Sequence, residues 1–534
     1  MAWRDRLRRA VRGPGLLAGA AGRHGAGLPL ALALGLDVLV VLLTPCTLMN
    51  DTAWYLSQTF HFPGPRPCDF YSLCQPAAAW EVTYPPGLPL LWDVFLALFG
   101  RHWIAAFLLF QHAARIAAVW TLWKMGQEAG RPAVGWWAAL AYALHVPSAL
   151  YSQSLLSEPT FTLLVVLAVR SLARGFATWT HAGTGSSLRD SWFGGVFLAA
   201  SVLVRFSPFA LLGAAGAAVM VVLARPRGER SGRRAATAGA VLRPILVPAA
   251  AVMLFIPLWN GIVFSRWGYG THVGRHLFDR AFCMGTVAAP GDPAYEAVLA
   301  YGRPVAAEDG DGTPSRTLRG VYWYQIYPLL RATGMSLDEA DRLMGKAARE
   351  AILRMPGRWL RTLIEDVLNP ERGRLLSRDE FIPEHSWRQG RRPPPHRDPY
   401  VVPGLNVGPP AEAATRRMLL ALYRVPDAPP VPERLRQPLL DLLQCLPEWN
   451  GLWIWFVLAG SVLACRRPAA AASETLCAYV FWAAILFQVA VHGPLPRYYT
   501  ALLPLALWVG MNTIVRRRPD DPAGIRPRFG RDSA

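Results

Sequence analysis

The chain has 534 residues, 53% of them hydrophobic and only 17% charged, with a mean hydropathy of +0.22. A soluble chain carries nearer a quarter charged residues, so the composition excludes an ordinary soluble domain and points to a polytopic membrane protein. The net charge of +19 would suit a nucleic-acid binder, but its distribution along the chain, set out below, excludes that class.

The N-terminus carries Arg4, Arg6, Arg8, Arg9 and Arg12, and an apolar stretch follows from Leu28 to Thr44. No small-x-small cleavage site comes after it, and Pro45 stands where a lipoprotein signal needs a small residue. The stretch therefore reads as an uncleaved first membrane helix rather than a signal peptide. Further spans are expected at His102–Trp123, Ala133–Tyr151, Glu158–Ala173, Trp192–Val204, Phe206–Ala224, Pro244–Phe264, Trp449–Ala464, Glu474–Val491 and Tyr498–Val515. With the first, that makes about ten transmembrane helices.

The apolar segment 82–100, VTYPPGLPLLWDVFLALFG, is either an eleventh span or a surface helix. Charge decides between them. If it does not cross and the N-terminus is cytoplasmic, the cytoplasmic pieces are 1–27, 124–132, 170–191, 225–243, 465–474 and 516–534. Those pieces hold 25 Lys and Arg, while the short external pieces keep only Arg66, Arg101, Arg205 and Arg497. Cytoplasmic loops carry the positive excess, so both termini are expected in the cytoplasm and the segment is expected to lie at the external face. Its apolar run is short for a span, and Asp93 in its middle would be costly in lipid. The same pieces carry eight acids and thus hold +17 of the +19. The basic balance is an orientation signal and an anionic-lipid contact, and no nucleic-acid partner is expected. A bacterial inner membrane fits this pattern best.

Residues 265–448 contain no convincing span and carry 25 basic and 22 acidic residues. They are expected to form an external, periplasmic region of mostly helical and irregular structure. Ser336 and Glu339 make a capping box, and Leu343, Ala347, Ile352 and Met355 keep a helical period up to Pro356. An apolar stripe then resumes through Trp359, Leu360, Leu363, Ile364 and Val367. It is either the core face of a small domain or a helix resting on the membrane; the Arg residues flanking it and amphipathic Trp359 favour the second. The Pro-rich stretches near 391–410 and 425–438 read as extended loops. The expected organisation is a transmembrane core (1–264) with its first external loop (45–101), the external region (265–448), the C-terminal helices (449–515) and a basic tail (516–534).

Outside the cytoplasmic pieces and the large external region only six acids and five bases remain: Asp37, Asp51, Asp69, Glu81, Asp93 and Glu158, with Arg66, Arg101, Arg115, Arg205 and Arg497. Charges held at a lipid boundary are costly, which makes each a candidate for function. Asp51, just beyond the first helix, is either a helix N-cap or a general base placed to take a proton from a hydroxyl. Arg205 and Arg497 sit at external helix ends, as snorkelling anchors or as phosphate contacts, for which the guanidinium fork is well shaped. Glu158 stands in Ser157-Glu158-Pro159, which is also an ordinary helix start. Asp37 and Arg115 lie deeper and are expected to pair with other helices structurally. Asp51, Asp69, Glu81 and His61 share one loop, so a divalent metal is an open alternative, though no metal-ligand spacing is present. Cys68 and Cys74 share that loop and are close enough for a disulfide in an oxidising compartment.

NDTAWY after the first helix, then YPPGLPLL, SEPTFTLLVVLAV, ASVLVRFSPFALL and a terminal PRYYTALLPLALW occur in one order. In that order they resemble the GT-C membrane glycosyltransferases, most of all the lipid A aminoarabinose transferases and the protein O-mannosyltransferases. Two positions depart from the family: Thr52 follows Asp51 where a second acid is frequent, and Tyr84 stands where the aminoarabinose transferases carry Lys. The resemblance implies a donor sugar on a polyprenyl phosphate, an external site, helices lying on the surface in the first external loop, and Asp51 as the catalytic residue. With it, Glu81, Tyr84, Glu158, Arg205, Arg497 and Tyr498 become the candidate substrate-binding residues. The expected partners are the lipid-linked sugar, membrane lipids and a glycan, lipid or protein acceptor. The competing classes are a flippase or transporter of lipid-linked sugar, an O-antigen ligase or polymerase, and a non-catalytic envelope protein.

Overall fold

A computed structural model describes residues 25–44, 85–181, 185–223, 231–264, 273–278, 337–368, 450–466, 472–492 and 496–515, with single positions such as Tyr55 and parts of 267–269 and 431–439 between them. Among the described residues the chain is helical and contains no strand. Four helical stretches are long and apolar enough to cross a membrane, Gly87–Glu128, Glu158–Ala177, Leu242–Val263 and Ser473–Ala490, and Gly27–Leu43 and Pro208–Leu223 are shorter apolar helices. The chain is a multi-pass membrane protein.

Helix α1 (Gly27–Leu43) matches the expected first span and closes at Thr44, whose hydroxyl donates to Val40 O at 2.7 Å. Helix α2 (Gly87–Phe99) and helix α3 (Trp103–Glu128) are joined by a single 3-10 turn, 100–102. They do not form one rod. Trp92 lies 5.8 Å from Phe107 and Phe95 5.5 Å from Phe110, ring centre to ring centre. A continuous helix would set each of those pairs about 22 Å apart at 1.5 Å per residue. The chain folds back at Gly100, whose φ of 50° is a conformation that a side chain disfavours.

The start of α2 is fixed from the other side. A Cβ on Gly87 would stand 2.6 Å from Leu203 O, so only glycine lets the two backbones approach this closely. Both ends of α2 therefore lie at one end of the bundle. The segment rests across that end, as the charge pattern requires, and is not an eleventh span.

The expected single span 133–151 is two helices, α4 (Pro132–Ala143) and α5 (Val146–Ser152). Pro147 is the reason: it has no N–H to give and its ring crowds the carbonyl four residues back. His145 caps the restart, its Nδ1 accepting from Ser148 N at 3.3 Å. Helices α6 (Glu158–His181), α7 (Gly185–Val204), α8 (Pro208–Leu223) and α9 (Ser231–Phe264) follow. After the long insert come α10 (Val273–Phe278), α11 (Leu337–Arg354), α12 (Pro356–Leu368), α13 (Asn450–Arg466), α14 (Ala472–His492) and α15 (Pro496–Ile514).

One continuous core of Ala, Val, Leu and aromatic side chains joins α3, α4, α6 to α9 and α13 to α15. In lipid the gain comes from close packing rather than from leaving water, and small residues make that packing possible. A Cβ on Gly195 of α7 would fall 1.6 Å from Pro244 O of α9, and one on Gly213 of α8 2.5 Å from Tyr479 O of α14.

Three of the loops assigned to one side of the membrane, 124–132, 170–191 and 465–474, gather at one end of the bundle. Arg131 pairs with Glu474 and donates to Asn512 at 2.7 Å. Arg170 meets Glu128 at 2.5 Å, and Arg174 meets Asp190 at 3.2 Å. The opposite end carries the described parts of the insert. There the Tyr499 hydroxyl donates to Asp366 O of α12 at 3.2 Å, and Arg436 Nε donates to Leu43 O at 2.8 Å. Val367 of α12 belongs to the bundle core, so α12 is neither a detached domain nor free of the transmembrane helices.

Candidate functional site

The insert-bearing end of the bundle also holds Glu158 and Arg205, two of the candidate charges. Glu158 opens α6 with Pro159 behind it, so the helix-start reading holds. Glu158 is nevertheless more than a start signal. Arg205, one residue past α7, places Nη1 2.7 Å from Glu158 Oε1, with the Glu158 side chain 3% and the Arg205 side chain 12% exposed. A charge-assisted contact in so dry a place is strong, provided both partners remain. Nη1 also reaches Ser157 Oγ at 3.4 Å, and the Tyr55 hydroxyl donates to the same oxygen at 3.4 Å; both are long, weak bonds.

Glu158 Oε2 is buried without a hydrogen-bond partner among the described residues, and so are the hydroxyls of Ser207 and Thr500. Buried polar atoms are normally satisfied, so an acceptor left over beside a fixed cation marks a place that a donor can occupy. Thr500 opens onto the same end: one turn into α6, the Thr162 hydroxyl donates to Ala501 O at 2.8 Å, which ties α6 to α15.

The five residues before Glu158 are not helical, and a buried network holds them. Gln111, fully buried in α3, donates through Nε2 to Ser154 O at 3.1 Å and Leu156 O at 2.7 Å, while its Oε1 accepts from Thr160 at 3.2 Å. Gln153 contacts His112 Nε2 at 3.0 Å and donates to Thr44 O at 3.3 Å. His112 Nδ1 lies 3.1 Å from Asp37 Oδ1.

Arg115 completes the layer. Its Nε donates to Ser148, Nη1 to Asp37 (2.9 Å) and Ala33 O, and Nη2 to Tyr142 O and Ala143 O. All five N–H donors of the guanidinium are thereby used. The expected structural pairing of Asp37 and Arg115 is what the fold contains. Arg115 clamps the carbonyls at the end of α4, adding to the His145 N–H that Tyr142 O accepts and supplying a donor to Ala143 O in a dry interior. A substrate-carrying charge in a transporter would keep donors to spare, so Arg115 does not support that class.

Arg497 and Tyr498 lie in the first turn of α15, at the same end as Glu158; their side chains are outside the described residues. Asp51, Glu81 and Tyr84 also lie outside the described residues, as do Asp69, His61, Cys68 and Cys74. Among the described residues no group of three or more His, Cys, Asp or Glu is placed to hold a metal ion. Tyr55, Ser157, Gln111 and His112 enter the site without having been singled out by charge. The signal for the last two was present: adjacent polar residues inside the apolar run 102–123.

Five stretches that are far apart in sequence thus meet at one end. Tyr55 of the first loop touches Ser157, Ser157 and Glu158 touch Arg205, Gly87 abuts Leu203, and α15 bonds to α6 through Ala501.

No protein-family profile and no curated protein sequence matches the chain. Among solved structures the chain is similar to the Archaeoglobus fulgidus oligosaccharyltransferase tethered with an acceptor peptide containing the NVT sequon. The TM-score is 0.35 at 12% identity, over 90% of this chain and 49% of that one, so the chain spans about half the length of that enzyme. It is also similar to ArnT from Cupriavidus metallidurans, both in the apo state and bound to undecaprenyl phosphate. There the TM-score is 0.31 at 12% identity, over 90% of this chain and 76% or 77% of ArnT.

Proposed function

We propose that this chain is an integral membrane glycosyltransferase that moves a sugar from a polyprenyl phosphate to an envelope glycan, lipid or protein. One observation carries the reading: the stretches that resemble the GT-C motifs converge on a buried Glu158–Arg205 pair at the bundle end that bears the insert. In the expected topology that end is external.

The chemistry suits the place. A lipid phosphate sits at the boundary of the bilayer, where the Arg205 guanidinium is already oriented by Glu158, and Arg497 starts a helix at the same end. The leaving group is a phosphate, so the rate depends chiefly on stabilising its negative charge, a task for preorganised cations. Glu158 Oε2, without a donor among the described residues, is suited to accept from a sugar or acceptor hydroxyl. Asp51 takes the proton of the incoming hydroxyl as its oxygen attacks the anomeric carbon and the carbon–oxygen bond to the phosphate breaks. The products are the glycosylated acceptor and polyprenyl phosphate, with inversion at the anomeric carbon. A divalent cation held by the first loop would add to phosphate neutralisation.

The test is complementation. The gene is deleted in its host, and the glycan masses of envelope lipids, polysaccharides and proteins are compared after return of wild type or Asp51→Asn at matched membrane expression. A sugar-sized mass that is lost on deletion and restored by wild type alone supports the transferase and names the acceptor. Full restoration by Asp51→Asn removes Asp51 as the base.

A further inference from the structure

We infer that α12 and the end of α11 form a surface that lies in the headgroup layer of the membrane. This surface is independent of the catalytic reading. Three environments surround α12. Leu363 and Val367 pack into the bundle core, and the backbone at Asp366 is held by Tyr499. A second flank carries Arg361, 81% exposed on its side chain and paired with Glu365 at 2.8 Å, together with exposed Arg358. Between these flanks runs an apolar strip that the fold leaves uncovered: Leu353 is 78%, Leu360 54% and Ile364 49% exposed. A helix in water with its core on one side has no use for that strip, whereas a helix lying on a bilayer needs it.

Lipid is the occupant for two reasons. The strip is continuous with the bundle's own lipid-facing surface, because α12 packs on α13 and α14, whose outward faces bear Trp455, Leu458, Val462 and Leu486. The strip also lies between a flank packed on the bundle and a charged flank in which Arg354 pairs with Glu350 and Arg361 with Glu365. An apolar strip bordered by charged side chains is the layout of a helix lying in the headgroup layer.

The test uses the full chain in vesicles of phosphatidylethanolamine and phosphatidylglycerol. Nitroxide labels are placed singly at Leu360→Cys, Ile364→Cys, Arg361→Cys and Glu365→Cys, with the identically treated parent subtracted for native cysteines. Val462→Cys serves as the lipid-facing reference. The ratio of oxygen to nickel-chelate accessibility is expected to be severalfold higher at 360 and 364 than at 361 and 365, and to approach that at 462. Equal ratios at all four positions would place the strip in water, and shielding of 360 and 364 from both reagents would mean that protein covers it; either result overturns the inference.

Discussion

Arg205 Nη1 stands 2.7 Å from Glu158 Oε1 across the junction of α6 and α7, with only a small part of either side chain exposed. Sequence places the two residues 47 positions apart and gives each a separate role as a substrate contact. The fold makes them one unit: Glu158 holds the guanidinium in a fixed orientation and keeps one carboxylate oxygen for something else.

The pair should behave as a pair. Arg205→Met is expected to lower transfer by about a hundredfold or more, the scale of losing a preorganised charge-stabilising donor. Glu158→Gln is expected to lower it too, because Arg205 loses its anion. In a double-mutant cycle read as sugar transferred in isolated membranes, the two losses should fall short of adding by about 0.5–3 kcal/mol. Strict additivity would mean that the residues act separately.

Arg115 predicts a stability effect rather than a catalytic one. Arg115→Leu removes the cation beside buried Asp37, leaving it only His112, and takes a donor from Ser148 and from the carbonyls of Ala33, Tyr142 and Ala143. Removing one partner of a buried pair costs about 3–5 kcal/mol. Lower folded yield and a lower Tm of the purified protein in detergent are expected. An Arg115→Leu protein that is as stable as wild type would contradict the clamp.

Gln111 tests whether the bent segment before Glu158 matters. Gln111→Leu leaves the Ser154 and Leu156 carbonyls without their side-chain donor, at about 1–3 kcal/mol for each buried group left unsatisfied. Activity is expected to fall while the bundle persists, since α3 keeps its other contacts. Transfer rate and Tm measured on one preparation separate the two effects. A fall in Tm with unchanged transfer by the surviving folded fraction would make Gln111 purely structural.

Gly87 is the hinge of α2 against α7. Gly87→Val puts side-chain atoms where Leu203 O already lies, so α2 must move off the bundle end. Increased proteolysis within 85–102 in membrane vesicles, at normal expression, is the expected outcome. Gly87→Ala should show the same effect in smaller degree.

Most of the helices, the gathering of loops 124–132, 170–191 and 465–474 at one end and the surface position of α2 were legible in the sequence. They follow from quantities that are local in the chain: apolar length, which the bilayer thickness demands, and the placement of Lys and Arg, which governs insertion. The ion pairs of Arg131 with Glu474 and Arg170 with Glu128 join loops that the charge count had already assigned to one side. Even the apolar stripe of α12 could be read, because a helical period repeats over a few residues.

Which polar groups meet was another matter. Glu158 with Arg205, Asp37 with Arg115 and Gln111 with the 154–156 carbonyls each depend on how several helices rotate and tilt against one another. That is set by small-residue contacts such as Gly195 against Pro244, and no single segment encodes it. The break at Leu144–His145 escaped the reading for a related reason: Pro147 interrupts a run that is apolar throughout, and hydropathy does not register a missing N–H. Sequence alone determined that this protein spans a membrane and where its candidate charges stand. Only the tertiary structure decided that Arg115 is a saturated clamp and that Glu158 Oε2 has no partner among the described residues, because hydrogen-bond satisfaction belongs to neighbours in space rather than to neighbours in the chain.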